Sequence, residues 1–154
     1  MTREEAYYER IKLLCGDWDA YDDRLNHYLE TEAPLSDIVL TLVDCGDDMK
    51  EAERALNLYC QEKPFDQDRV YERLRLELYA AYREGRMSKD GILSAMFRYS
   101  QKIADDCSFV YGCGALSDYY VLAQERIVSM EKFDVILTKF LRDGGHVDLD
   151  SVWN

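Results

Sequence analysis

The chain has 154 residues, of which 47% are apolar and 32% charged, and it carries a formal net charge of −12. This size and composition are typical of one soluble globular domain, so we expect a single domain over 1–154. So acidic a chain disfavours direct binding of nucleic acid or of an anionic membrane surface, because both require positive charge.

The sequence also predicts where the protein resides. Its N-terminus, MTREEAYYER, lacks the apolar core of a signal peptide, and no apolar run approaches the roughly 20 residues of a membrane span. The five cysteines occur in no CxxC pair. We therefore expect a cytosolic protein with reduced thiols. These cysteines are Cys15, Cys45, Cys60, Cys107 and Cys113.

Helical periodicity and capping signals predict α-helices from the start of the chain. Thr2 and Glu5 form a capping-box pattern for the first helix. A second helix is expected over 18–30, with Trp18 on its core-facing side and a row of carboxylates on the adjoining side. The break at Pro34 separates it from the next element, because the residue before a proline disfavours helix.

The segment DIVLTLVDC, residues 37–45, has two possible structures. Its β-branched residues allow a buried strand, and its length also allows a short helix. Since no other run of the chain offers a partner strand, we interpret it as a short buried helix that ends at Gly46. Asp47 or Asp48 is expected to cap the helix that follows.

The second half continues the helical pattern. A long Arg-rich helix is predicted over about 66–84, and Ser88 and Ser129 are expected to cap later helices. The tail 146–154 is expected to be extended, with Trp153 against the protein body. The total is seven or eight helices with short connections, which favours an all-α, single-domain antiparallel helical bundle.

Residues 105–117 are the weakest part of this pattern. Two glycines flank Cys113, so we expect either a helix ending near Tyr111 or an ordered loop. A catalytic thiol at Cys113 would need a base, for which His146 beside Asp148 is the candidate. A structural thiol in a turn between helices explains the same residues. We therefore predict no catalytic residue, and keep a thiol-dependent enzyme as a third hypothesis.

The acidic residues do not form a recognisable metal site. The segment from Asp17 begins like a calcium loop, but Asp22 and Tyr28 occupy the positions that need glycine and glutamate. No Glu-x-x-His pair suits a di-iron bundle, and the cysteines and histidines are not clustered as zinc requires. Nucleotide-binding glycine motifs are absent as well. We predict no metal and no cofactor.

The negative charge is concentrated in residues 17–53. This segment holds 12 acidic and two basic residues, which gives −10 of the total of −12. Such a segment is either a solvated face that maintains solubility or a docking surface for a basic protein. Pairing with the Arg-rich helix, Arg69 to Arg86, would neutralise it internally, and the sequence leaves that possibility open.

In size, charge and helicity the chain is similar to small acidic inhibitors of nucleic-acid enzymes, such as toxin immunity proteins and phage anti-CRISPR proteins. We predict a non-enzymatic protein that binds a basic partner, such as a nuclease or toxin, on the surface the partner uses for nucleic acid. The alternative is a structural or regulatory module that self-associates or joins a larger assembly. Tyr8, Tyr119 and Phe109 are candidate aromatic contacts. The predicted electrostatic contacts are Asp19, Asp22, Asp23, Glu30, Asp47, Asp48 and Glu51.

Overall fold

The computed structural model describes residues 1–150, and within them the chain forms eight α-helices and no strand. The all-α helical bundle predicted from the sequence is confirmed, including its number of helices. Trp153, predicted to lie against the protein body, is outside the described residues. The helices are α1 (Arg3–Leu14), α2 (Tyr21–Thr31), α3 (Asp37–Cys45), α4 (Met49–Gln61), α5 (Gln67–Arg83), α6 (Lys89–Lys102), α7 (Ser108–Gln124) and α8 (Met130–Asp143).

The chain divides into two compact units. Unit 1 is Met1–Val70, and unit 2 begins at Tyr71. The expectation of one domain over 1–154 stays a prediction.

Unit 1 is built on four helices, α1 to α4. In it α1 and α3 both pack against α4, and α2 packs against α3. Arg24 of α2 pairs with Glu9 of α1 and so links the first two helices. The burial of large apolar side chains drives this packing. Its fully or almost fully buried residues include Ala6, Ile11, Tyr21, Val39, Leu42, Ala52 and Leu56.

Unit 2 packs α7 against both α6 and α8. A Cβ at Gly112 of α7 would overlap the ring of Phe140 in α8, so only glycine allows this close approach. Phe109 stacks on Phe140 with 6.3 Å between ring centroids. The buried core of this unit includes Leu74, Leu78, Ile92, Met96, Leu116, Phe133, Leu137 and Leu141.

Four helix starts and three helix ends follow the predicted capping chemistry, whereas Ser36, before α3, forms no side-chain cap bond. Thr2 and Glu5 form both bonds of the capping box at α1. The side chains of Asp48, Ser88 and Ser129 each accept a backbone N–H bond in the first turn of α4, α6 and α8. Glycines with positive φ follow α3, α5 and α8, as expected for residues that close a helix. They are Gly46, Gly85 and Gly144.

Two local expectations are wrong. The helix expected over 18–30 begins only at Tyr21, because a turn around Gly16, with φ of 78°, precedes it. In the stretch 105–117 only residues 105–107 are a loop, and no helix ends near Tyr111, because α7 begins at Ser108 and runs through both glycines. A helical glycine costs about 1 kcal/mol relative to alanine, and the close packing on Phe140 offsets this cost.

The segment 37–45 is helical, as interpreted, but it is only half buried. Ile38, Val39 and Leu42 lie in the core, whereas Leu40 and Val43 are each more than two-fifths exposed. One face of α3 therefore faces solvent.

Candidate protein-binding surface

The seven predicted contact residues are all exposed, and the structure adds two that the sequence analysis did not single out. Asp37 and Asp44 are exposed as well and lie on one side of α3, about 20° apart around its axis at seven residues' separation. That spacing was a usable signal in the sequence. We call this set the acidic surface: Asp19, Asp22, Asp23, Glu30, Asp37, Asp44, Asp47, Asp48 and Glu51.

The other three acidic residues of 17–53 are half buried, and each is paired. Asp17 lies between Lys12 and Arg24, at 3.7 and 3.9 Å. Glu53 pairs with Arg10 at 2.7 Å, and Glu32 with the amino group of Met1. The bases of unit 1 thus neutralise the carboxylates that face inward.

The acidic surface has almost no counter-charge of its own. Within residues 1–150, Glu51 alone of its nine members forms an ion pair, with Arg54 at 3.3 Å, and both side chains are more than half exposed. Such a pair contributes well below 1 kcal/mol. Asp48 uses its side chain to cap α4, where it accepts a hydrogen bond from the backbone N–H of Glu51.

Arg24, one of the two bases in 17–53, is turned away from the acidic surface. Its Nε donates to Oε2 of Glu9 at 2.7 Å, and the Glu9 side chain is only 3% exposed. Burial by itself lowers the pKa of Arg24, but the charge and hydrogen bond of Glu9 outweigh it and raise that pKa. Arg24 therefore stays charged as the buried partner of Glu9.

Tyr21 is buried at the start of α2, directly before Asp22 of the acidic surface. It is 2% exposed, and its hydroxyl finds no hydrogen-bond partner among residues 1–150. Burial raises the pKa of Tyr21 to about 12, and the neighbouring Cys45, Glu9 and Asp22 add to the shift. The start of α2 and the end of α3 therefore lie close together at Tyr21 and Cys45.

The Cys45 thiol lies at the end of α3, where carboxylates of the α3–α4 connection act on it. Burial raises its pKa, and the negative charges of Glu51, Asp48 and Asp44 raise it further. Helix α2 packs against α3, and the charge of Asp22 acts on Tyr21 at the start of α2. Glu30 lies at the other end of α2, about 12 Å along its axis from Asp22.

The aromatic residues are placed differently from the sequence interpretation. Tyr8 and Phe109, candidate partner contacts, are buried at 5% and 7% exposure, and Tyr119 is half buried. Trp18, expected in the core, is 56% exposed. The reason is the late start of α2: Trp18 precedes the helix, so helical periodicity does not govern where it points.

The Arg-rich helix α5 has its own counter-charges. Arg73 pairs with Glu77 one turn away at 3.1 Å, and Arg75 donates to the carbonyl of Leu141 at 2.6 Å. Beyond the helix end, Arg86 pairs with Glu84 at 2.7 Å. None of these contacts uses the acidic surface.

Cys113 is not placed as a reactive thiol. It is fully buried in the middle of α7, between two glycines that serve helix packing. His146, its candidate base, is exposed and stacks on Tyr111. No group of three or more His, Cys, Asp or Glu side chains in 1–150 is arranged to hold a metal ion.

Comparison with protein-family models, with curated proteins and with solved structures gives no match to this chain. Among the described residues, no helix combines the length and apolarity needed to cross a bilayer.

Proposed function

We propose that this protein is a non-enzymatic cytosolic inhibitor that binds a basic, nucleic-acid-acting protein through its acidic surface, in the manner of an immunity or anti-CRISPR protein. The supporting observation is the separation of charge in 17–53. Its half-buried carboxylates are paired, whereas eight of the nine exposed ones have no ion-pair partner within residues 1–150.

Unpaired carboxylates at this density weaken the free protein and favour a complex. Neighbouring like charges on a helix repel by a few tenths of a kcal/mol per pair. A partner that supplies Lys and Arg side chains relieves that repulsion. Complementary potentials also accelerate the encounter, typically by 10-fold to 1000-fold at low salt. A surface of this kind acts as a mimic of the phosphates that the partner ordinarily binds.

The sign and the spread of the charge determine the class of ligand. A nucleic acid or an anionic membrane would be repelled by the same carboxylates that attract a basic protein. The carboxylates also extend over three helices, from Asp19 to Glu51, and so match an extended basic surface better than a single ion.

The test is recovery of the partner from the native cell extract at low and at high salt. The informative variant carries Asp19→Lys, Asp22→Lys and Asp23→Lys. The matched control carries the same charge change at exposed carboxylates outside the acidic surface: Asp106→Lys, Asp118→Lys and Glu125→Lys. Both variants change the net charge from −12 to −6.

We expect the native protein and the control to retain a basic nucleic-acid-acting protein at low salt, and the Asp19/Asp22/Asp23 variant to lose it. High salt should release it, because the Debye length falls from about 10 Å at 0.1 M to about 3 Å at 1 M. Equal loss in both variants would show that net charge alone drives the binding and would contradict a defined surface.

A second function is favoured by exposed apolar residues in unit 2. Phe97, Val121, Ile127 and Val135 are each more than half exposed. Such residues suit a module that self-associates or joins an assembly through apolar contacts. In that case the partner would be a second copy or a neutral protein, and high salt would not release it.

A further inference from the structure

Trp18 is held in a fixed position at the edge of the acidic surface. Its indole Nε1–H donates to the carbonyl of Leu13 at 3.0 Å, and its backbone N–H donates to the carbonyl of Gly16 at 3.0 Å. The side chain is nevertheless 56% exposed. The polar edge of the ring is thus satisfied by the protein, while ring surface remains open to solvent.

The charged residues near Trp18 in the chain are carboxylates. Asp17 and Asp19 flank it directly, and Asp22 follows in the first turn of α2. Lys12 and Arg24, the closest bases in the sequence, offset Asp17, at 3.7 and 3.9 Å, and have further partners in the ring of Tyr8 and in Glu9. The carboxylates near Trp18 that have no ion-pair partner within residues 1–150 are therefore Asp19 and Asp22.

Other aromatic rings of the protein are covered by its own cations. The guanidinium of Arg3 lies 4.4 Å from the ring centroid of Tyr59, and that of Arg83 lies 5.8 Å from that of Tyr79. Within residues 1–150, Trp18 has neither a cation nor a second ring against it. Tryptophan is the side chain that attracts a cation most strongly through its ring face.

We propose that Trp18 is the aromatic anchor of the complex and receives an arginine side chain of the basic partner on its ring face. This inference rests on the proposed function and names the partner group that the surface recognises. Arginine fits best, because its planar guanidinium stacks on the indole while its remaining N–H groups reach neighbouring carboxylates. Asp19 and Asp22 are the carboxylates placed to accept them.

A tryptophan anchor would supply binding affinity that exposed charges alone do not. Exposed ion pairs give little net affinity, whereas contacts with tryptophan and arginine carry much of the binding energy in protein interfaces. The indole is already held in place, so little side-chain freedom is lost when the arginine binds.

The experiment uses the full chain with Trp153→Phe, so that Trp18 is the only tryptophan. A deca-arginine peptide is titrated at low salt, and the dissociation constant is measured by calorimetry and by Trp18 fluorescence. Trp18→Leu keeps an apolar side chain but removes the ring, and should weaken binding about 3-fold to 30-fold. Circular dichroism and thermal unfolding check that the variant folds.

A second series avoids any loss of fold. Replacing Trp18 with mono-, di- and trifluorotryptophan keeps the shape and the N–H donor but progressively removes electron density from the ring. Affinity for deca-arginine should fall with each fluorine. If Trp18→Leu lowers the affinity but fluorination leaves it unchanged, the contact is apolar, and the proposed cation anchor is overturned.

The remaining outcomes separate the two proposals. If the peptide binds, and Asp19→Lys/Asp22→Lys/Asp23→Lys abolishes the binding while Trp18→Leu changes it less than about 2-fold, the acidic surface stands and the anchor does not. If the peptide does not bind the native protein at low salt, both the anchor and the acidic surface are contradicted.

Discussion

The two most charged regions of this protein, helix α5 and the acidic surface, handle their charge in opposite ways. Helix α5 carries three acidic and four basic residues, and Arg73 pairs with Glu77 one turn away. The acidic surface consists of carboxylates, and within residues 1–150 only Glu51 among them is ion-paired. The charges of α5 nearly balance within the helix, whereas those of the acidic surface all have one sign.

Charge content alone does not separate these two regions. Bases of unit 1 pair with inward-facing carboxylates, such as Glu9 and Glu53. An unpaired charge at such a position would strongly destabilise the fold. In the outward-facing set, the one ion pair within residues 1–150 is that of Glu51 with Arg54. It is the missing counter-charge, rather than the number of carboxylates, that distinguishes the acidic surface from α5.

The largest effect is expected where a paired charge is buried. Glu9→Gln leaves the guanidinium of Arg24 without its main partner and should lower the free energy of unfolding by about 3 kcal/mol. The control is Glu84→Gln, which breaks the exposed pair with Arg86 and should change stability by less than about 0.5 kcal/mol. Urea denaturation measures both. Equal effects would show that burial does not separate the two kinds of pair.

The next effect is on binding kinetics with the recovered partner. At low salt, Asp19→Lys/Asp22→Lys/Asp23→Lys should lower the association rate constant at least 10-fold, because it removes electrostatic steering. Stopped-flow measurement at several ionic strengths gives the rate. The control with Asp106→Lys, Asp118→Lys and Glu125→Lys should slow association much less. A similar loss in the control would remove the distinction between the acidic surface and the remaining surface.

Tyr21→Phe tests the buried hydroxyl of Tyr21, the residue before Asp22 of the acidic surface. It removes a buried hydroxyl that has no hydrogen-bond partner in residues 1–150, so the free energy of unfolding should rise by about 1 kcal/mol. The pKa of Tyr21 is raised from its ordinary value near 10 to about 12. Ionisation of Tyr21 therefore destabilises the fold: this group leaves stability unchanged with pH below pH 10, and stability falls as the pH rises from 10 towards 12. In Tyr21→Phe this part of the alkaline loss should disappear. A loss of stability at pH 7 would indicate that the hydroxyl is bonded.

The smallest effect concerns a single exposed carboxylate in each region. Glu30 lies in the last turn of α2, where the helix dipole disfavours negative charge, so Glu30→Gln should stabilise the free protein by about 0.3 kcal/mol. Glu77→Gln in α5 should destabilise by a similar amount, because it removes the i,i+4 pair with Arg73. Thermal unfolding with replicate measurements resolves the opposite signs. The same sign in both would mean that pairing does not distinguish these regions.

Much of the fold was predictable because short-range rules determine it. Capping by Thr2, Asp48, Ser88 and Ser129 depends on side chains a few residues from the backbone groups they bind. The sequence therefore identifies Thr2, Ser88 and Ser129, and it limits the cap of α4 to Asp47 or Asp48. The seven predicted acidic residues are exposed for an equally local reason: a carboxylate without a partner stays in water.

The errors arose where tertiary contacts override the local pattern. Helix α7 continues through Gly112 because the ring of Phe140 packs on it, and that contact joins residues far apart in the chain. Trp18 was expected in the core because its spacing fits a helix, but the turn before Tyr21 removes it from that helix. Which carboxylates are paired also depends on long-range contacts, such as that of Glu53 with Arg10.

The most direct test of the central claim is competition between this protein and nucleic acid for the recovered partner. A fluorescent oligonucleotide bound to the partner is titrated with the native protein, and its anisotropy is followed. We predict that the protein displaces the oligonucleotide completely, and that the variant with Asp19→Lys, Asp22→Lys and Asp23→Lys does so much less effectively. A stable complex that contains the partner, the oligonucleotide and the protein together would contradict the proposed inhibition by an acidic mimic.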